Sequence, residues 1–240
     1  MSFQNKIAVV TGAAAGIGAS TARLFAREGA AVAVVDLNAD GAVEIADEIT
    51  RTGGRAVPLT ADCGLLVDVE HIVEGTVQKF GGIDFLINNA ASQVYGTVEE
   101  TELETWERVL RDNLTAPYLL AKYSLPHMRG RGGGAIVNIG SVLSVCAAPG
   151  AFAYVTTKHG VLGLTRSLAV DLAVDGIRVN CICPGGIDTP RVQREAQRQP
   201  DPDKVIRDFG KTKPASKNPR YRTWGTPRVP PEYGNEKSRL

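Results

Sequence analysis

Tyr154 and Lys158 stand four residues apart in Tyr-Val-Thr-Thr-Lys. Residues at that spacing share one face of a helix. A free phenol ionises only near pH ~10 and is a poor proton-transfer group at neutral pH. A neighbouring ammonium favours the phenolate and brings its proton into the working range. Ser141 follows the apolar run Ala135–Ile139, which reads as a strand. At that strand's carboxyl end its hydroxyl can hold a substrate oxygen beside the phenol. Asn113 offers a different device. Pro117 lies four residues later inside a helical pattern and has no N–H, so the Asn113 carbonyl loses its helix partner. A carbonyl freed in this way can bind water. Each feature has a plainer reading alone: a chance pair, a turn serine, a kinked packing helix. Together they describe a proton-transfer centre.

A second constellation lies near the start of the chain. Thr11-Gly12-Ala13-Ala14-Ala15-Gly16-Ile17-Gly18 falls between the apolar run Ile7–Val10 and a helical pattern over Gly16–Glu28. Glycines let the backbone turn sharply and approach a diphosphate, and a helix N-terminus supplies free N–H groups with partial positive charge. A glycine trio alone is a weak signal; the strand–turn–helix setting makes it a dinucleotide-binding turn. Asp36 closes the next apolar run, Ala31–Val35. A carboxylate there can accept hydrogen bonds from both adenosine ribose hydroxyls and would repel a 2′-phosphate. Ala13–Ala15 holds no Lys or Arg, and Leu37 and Asn38 are uncharged. These residues point to NAD rather than NADP. The plainer role for Asp36 is a solvated strand end or helix cap.

These groups must be positioned by alternating strands and helices. Further helical patterns cover Gly41–Thr50, Val67–Phe80, about Glu104–Met128 and about Tyr154–Ala173. Further strands cover Ala56–Leu59, Asp84–Ile87, Ala135–Ile139 and Ile177–Ile182. Strands apolar throughout are buried on both faces, which implies a parallel sheet covered by helices. Strict alternation implies right-handed crossovers and a Rossmann-like, doubly wound α/β sheet in a single domain. Ligands of such sheets bind beyond the strands' carboxyl ends. That gathers Thr11–Gly18, Asp36, Asp62, Asn88–Ala91, Ser141 and Pro184–Thr189.

A chain of 240 residues suits one such domain. The net charge of +1 argues against nucleic acid as a partner. No stretch approaches the ~18 apolar residues of a membrane span, and no secretory signal is visible, so a cytoplasmic protein is expected. Cys63, Cys146, Cys181 and Cys183 form no C-x-x-C pair and read as buried, reduced thiols, with Cys181 and Cys183 on one side of a strand. The three histidines lack metal-ligand spacing, and no metal is expected. Lys211–Leu240 differs in kind, with eight Lys/Arg, two Glu and five Pro. Without it the chain holds 19 basic and 24 acidic residues, a net charge of −5. Such a segment buries too little apolar surface to offset its ordering and is expected to be mobile, or ordered only by lying against a neighbour. The organisation expected is a dinucleotide-binding and catalytic domain over 1–190, then a substrate loop and a basic, proline-rich tail over 191–240.

Taken in order, the Thr11–Gly18 turn, Asp36, Asp62, Asn88-Asn89-Ala90-Ala91, Asn113, Ser141, Tyr154/Lys158 and Asn180-Cys-Ile-Cys-Pro184-Gly185 through Thr189-Pro190 resemble the short-chain dehydrogenase/reductase family. The resemblance covers about residues 5–190. The cofactor set it implies is Gly12, Ala15, Gly16, Ile17, Gly18, Asp36, Leu37, Asp62, Cys63, Asn89, Ala90, Ala91, Tyr154, Lys158, Pro184, Gly185, Ile187 and Thr189. By resemblance, Asp62 meets the adenine edge and Asn89 braces the central sheet. Lys158 holds the nicotinamide ribose, and Thr189 with the Ile187 backbone meets the carboxamide. Ser141 stabilises the substrate oxygen, Tyr154 transfers its proton while hydride moves to or from nicotinamide C4, and Asn113 orders the water of a relay through Lys158. The family's usual last strand has no counterpart here; Trp224-Gly225-Thr226-Pro227 only faintly resembles the turn before its last helix. Ile177–Ile182 is therefore expected at an exposed edge, and a homodimer through the long helices is expected rather than a tetramer.

The activity implied is NAD(H)-dependent interconversion of a secondary alcohol and a ketone, on a small-molecule substrate. Two alternatives stay open. One is a 3-oxoacyl-thioester reductase, which commonly prefers NADPH; Asp36 weighs against it. The other is a catalytically weak NAD(H)-binding protein whose altered C-terminus has lost its substrate site. Substrate-pocket candidates are Ser141, Gln93, Val94, Ser144, the stretch Val145–Phe152 and the loop Pro190–Phe209. Val145, Ala147, Ala148 and Phe152 are apolar, and no arginine stands where it would obviously clamp a carboxylate. A neutral or apolar alcohol is the expected substrate.

Overall fold

The computed structural model describes residues 3–197 together with Asp201 and Asp203. The tail Lys211–Leu240, its expected mobility, and most of the loop after Gln197 lie outside the described residues. Strands β1 (Ile7–Thr11), β2 (Ala31–Asp36), β3 (Arg55–Thr60), β4 (Phe85–Asn88), β5 (Gly134–Ile139) and β6 (Ile177–Ile182) form one sheet in the order β3-β2-β1-β4-β5-β6. Every pairing is parallel. The helices are α1 (Gly16–Arg27), α2 (Ala39–Arg51), α3 (Leu66–Phe80), α4 (Leu103–Leu110), α5 (Ala116–Gly130), α6 (Phe152–Asp171) and α7 (Pro190–Gln197).

The central strands follow from their residues. Apart from Thr11 and Asp36 at their ends, β1 and β2 are runs of small or branched apolar residues, rich in valine, that are buried on both faces. Alternation divides them between two cores. Ala8, Val10, Val32 and Val34 pack with Ala19 and Ala22 of α1 and Ile45 and Ile49 of α2. Val9, Ala33 and Val35 pack on the other face with Ile72 of α3 and Leu120 and Met128 of α5. The strand order reverses between β1 and β4, which opens a crevice at their carboxyl ends, where such folds bind ligands.

Two elements depart from expectation. β6 has the expected bounds and lies at the expected edge among the described residues, but it alternates: Ile177 and Val179 are buried, while Arg178, Asn180 and Ile182 face outward. The long helix predicted over about 104–128 runs without a gap from Leu103 to Gly130, but it contains a π-helical turn. That turn, Arg111–Thr115, separates α4 from α5, and Pro117 lies in the first turn of α5, where its missing N–H costs little.

Candidate active site

The glycine turn is built by close approach. Gly12 (φ +62°) and Gly16 (φ +55°) are in the left-handed region. A Cβ on Gly12 would lie 2.8 Å from Asn89 Nδ2, and one on Gly18 would collide with the Gly12 carbonyl oxygen. Asn89 occupies that space for a reason. Its amide donates to the Thr11 and Gly12 carbonyls at 2.9 and 3.0 Å, while its N–H and that of Ala90 donate to Thr11 Oγ1 at 3.0 and 3.1 Å. These bonds tie the end of β4 to the turn after β1. No side chain caps α1, because its N-cap is Ala15, so its first-turn N–H groups face the crevice without a side-chain acceptor. A small-walled turn and an uncapped helix N-terminus fit the diphosphate of a dinucleotide.

Asp36 is not the cap of α2. That role falls to Asn38, whose side chain accepts the Gly41 N–H at 3.2 Å. Asp36 instead accepts the Ala14 N–H on Oδ2 and the Asn38 N–H on Oδ1, both at 2.9 Å. Its carboxylate is thus fixed against the glycine turn.

A cavity of about 440 Å³ opens at the carboxyl ends of the strands. Gly12, Ala15, Gly16, Ile17, Asp36, Asn89, Ala90, Ala91, Tyr154, Lys158, Pro184, Gly185, Ile187 and Thr189 line it, together with Ser141 and Gln93. A second cavity of about 410 Å³ shares Gly12, Asp36, Ala90 and Ala91 with it and adds Leu37, Asp62 and Cys63. Gly18 is on neither wall and acts by packing.

Within the larger cavity, Ser141 caps a short 3-10 turn, Val142–Ser144. Its Oγ accepts the Leu143 N–H at 3.1 Å, and its own N–H donates to Ser144 Oγ at 3.1 Å. Ser144 therefore leaves the substrate set: it is 1% exposed and its hydroxyl is turned back onto Ser141. Lys158, 3% exposed, donates to the Ile139 carbonyl at 2.7 Å, with its Nζ 5.5 Å from the Tyr154 ring centre. Asn113 lies behind the wall, in the π-helical turn. Its Oδ1 accepts the Ser92 N–H at 2.8 Å, and its Nδ2 donates to the Ser92 carbonyl at 2.8 Å and to Thr157 Oγ1 at 3.1 Å. Thr157 donates back to the Tyr154 carbonyl, so Asn113 ties the loop after β4 to the first turn of α6.

The substrate wall differs from expectation in other ways. Val94 and the stretch Val145–Phe152 are absent from it; Phe152 instead stacks on Trp106 at 5.1 Å between ring centres. Of the expected stretch Pro190–Phe209, Pro190, Val192 and Arg194, all carried by α7, do line it, and an arginine thus reaches the pocket although none stood in an obvious place to clamp a carboxylate. Sequence spacing could not place Arg194, because nothing local says where α7 turns. Arg111 was also missed. It reaches Asp62 Oδ2 at 3.4 Å and Asp112 Oδ1 at 2.9 Å, and Asp62 Oδ1 accepts the Gly64 N–H at 2.8 Å.

The thiols are only partly as expected. Cys63 is buried, but Cys146, Cys181 and Cys183 are half-buried; all four are unpaired. Burial, then the charges of Asp62 and Asp36, push the Cys63 thiol up to about 12. Burial, then its neighbour Cys183, push Cys181 up to about 11, and the two sulfurs lie 3.8 Å apart on one side of the strand end.

The sequence pattern of the short-chain dehydrogenase family matches residues 6–200. The chain belongs to that family and is an oxidoreductase; the family's fold binds a nicotinamide cofactor. It is 40% identical over 193 residues to a cyclohexanol dehydrogenase of Acinetobacter sp. (strain SE19), covering 79% of this chain and 76% of that one. It is 41% identical over 191 residues to a cis-4-hydroxycyclohexanecarboxylate dehydrogenase of Sinomonas cyclohexanicum, with 79% and 76% covered. Among solved structures, L-sorbose reductase from Gluconobacter frateurii, complexed with NADPH and L-sorbose, superposes with a TM-score of 0.81 at 34% identity, over 85% of this chain and 79% of that one. No helix among the described residues is long and apolar enough to cross a membrane.

Proposed function

We propose that the chain interconverts a secondary alcohol and a ketone with NAD(H), through Ser141, Tyr154 and Lys158. One observation carries the reading: those three side chains share a cavity wall with the glycine turn and Asp36. The nicotinamide, when bound, supplies or accepts the hydride. The chain's own residues handle the substrate oxygen. Ser141 Oγ already accepts the Leu143 N–H, which leaves its own proton to donate to that oxygen. Tyr154 gives or takes the proton there. The Lys158 ammonium, held by the Ile139 carbonyl, favours the phenolate form of Tyr154 and holds the nicotinamide ribose. Asn113 is assigned the water of the proton relay. Asp62 is assigned to the adenine edge, and Thr189 with the Ile187 backbone to the carboxamide.

The NAD assignment rests on Asp36, whose fixed carboxylate would repel a 2′-phosphate. The sorbose reductase was seen with NADPH, so cofactor choice is the point to test. The two cyclohexane-based relatives make cyclic secondary alcohols the first substrates to try. Catalytic efficiency with NAD is expected to exceed that with NADP at least ~10-fold, which needs only ~1.4 kcal/mol of discrimination. Asp36→Ala should narrow the gap by improving NADP. Equal efficiency in the unmodified protein refutes the NAD assignment, and no oxidation with either cofactor across a broad alcohol panel refutes the activity. The working unit is proposed as a cytoplasmic homodimer formed through α5 and α6, where Tyr118 and Val170 are exposed.

A further inference from the structure

One charged side chain on the cavity wall has no part in the chemistry above. α7 places Pro190, Val192 and Arg194 on the wall that also holds Ser141, Tyr154 and Gln93. The charged residues of that wall are Asp36, Lys158 and Arg194. Asp36 is held by the Ala14 and Asn38 N–H groups, and Lys158 by the Ile139 carbonyl beside the phenol. Arg194 is exposed, and no ion pair involves it among the described residues.

Two anions could meet such a guanidinium: the cofactor diphosphate or a group on the substrate. The diphosphate already has the glycine turn and the uncapped N-terminus of α1. The start of α7 lies against that turn, since a Cβ on Gly16 would sit 3.3 Å from Thr189 Cγ2. Arg194 stands five residues beyond Thr189, roughly 7.5 Å further along the helix axis at ~1.5 Å per residue. The helix thus begins beside the glycine turn, at the residue assigned to the carboxamide, and places its arginine further along.

We infer that Arg194 anchors an anionic group of the substrate, so that the chain takes hydroxy acids, secondary alcohols bearing a carboxylate or sulfonate, in preference to neutral alcohols. The inference rests on the alcohol–ketone chemistry proposed above. It reverses the neutral substrate expected from the sequence. A planar guanidinium meets a carboxylate with two parallel N–H donors, which fixes orientation as well as position. The contact strengthens once substrate and cofactor exclude water from the cavity. The anion's charge is the same in alcohol and ketone. The anchor therefore binds ground state and transition state alike and acts on KM rather than kcat.

The test compares Arg194→Ala and Arg194→Lys with the unmodified protein on matched substrates: cyclohexanol against cis-4-hydroxycyclohexanecarboxylate, and 2-butanol against 3-hydroxybutanoate. NADH affinity and the binding of cyclohexanecarboxylate to the NADH complex are measured by fluorescence. The unmodified protein should favour the acid of a pair at least ~10-fold in kcat/KM, or ~1.4 kcal/mol. Arg194→Ala should raise KM for the acid about as much, leave kcat within about twofold, and leave neutral alcohols and NADH affinity unchanged. Arg194→Lys should recover part of the loss. Indifference to the carboxylate, or an equal loss on acid and neutral alcohol, overturns the inference. A tenfold fall in NADH affinity also overturns it and assigns Arg194 to the diphosphate. If no alcohol is oxidised but cyclohexanecarboxylate binds and is lost in Arg194→Ala, the proposed chemistry fails while the anion anchor stands. Carboxylate binding that ignores the substitution removes the anchor.

Discussion

Ser141 owes its place to backbone and side-chain partners within three residues of it, whereas Lys158 and Asn89 are held by backbone carbonyls from distant segments. Ser144 receives its N–H, Leu143 donates to its hydroxyl, and Lys158 hangs from the Ile139 carbonyl. The placing of Tyr154, Lys158 and Asp36 on one cavity wall was legible because it comes from short spacings and from the strand each one follows. Ser144 was misplaced in the substrate pocket because one-dimensional proximity does not say which way a hydroxyl turns. Cys63 gives a prediction at this scale. Its folded-state thiol is pushed up to about 12, against ~8.5 for a free thiol. The unfolded thiol ionises first, so the stabilisation of the neutral buried form is full below pH ~8.5 and lost as pH rises through about 12. Alkylation at pH 9 should therefore modify the half-buried Cys146 well before Cys63, which should label only on unfolding. Equal labelling rates in the folded protein would contradict the burial assigned to Cys63.

At the scale of elements, the turn after β1 and the π-helical turn between α4 and α5 do the positioning. The Asn113–Pro117 spacing signalled a disturbed helix, and the disturbance is the π-helical turn Arg111–Thr115. What the spacing could not show is the far side of the joint, where Asn113 grips Ser92 and Thr157 from two other segments. The same π-helical turn sets Arg111 against Asp62. Long-range partnerships of this kind leave no periodicity to read. The glycine turn makes the sharper prediction. In Gly18→Ala the added methyl meets the Gly12 backbone oxygen and the Asn89 amide, neither of which is a flexible chain end. The turn or α1 must shift, at about 1–3 kcal/mol for overpacking. Thermal unfolding should fall accordingly, and NADH affinity should drop at least ~10-fold, equivalent to ~1.4 kcal/mol. Unchanged NADH affinity in a folded Gly18→Ala protein would remove the close-approach argument.

For the whole molecule, strict alternation of strand and helix was enough to predict the doubly wound parallel sheet, and the reversal of order between β1 and β4 explains why the groups converge on one crevice. β6 was read at its bounds and at an edge, but its alternation was not, because the outward Arg178 and Asn180 sit among apolar neighbours. The substrate side was least legible, since it depends on where α7 turns and on which of its side chains face the cavity. The central claim is that Tyr154 transfers the substrate proton in a cavity whose dinucleotide site rests mainly on other residues, the glycine turn and Asp36 foremost. The most direct measurement is the turnover of Tyr154→Phe on an oxidisable secondary alcohol, taken beside its NADH dissociation constant. Loss of the phenolic proton donor should lower kcat at least ~100-fold, with NADH affinity within about twofold of the unmodified protein. Near-normal turnover in Tyr154→Phe would contradict the account.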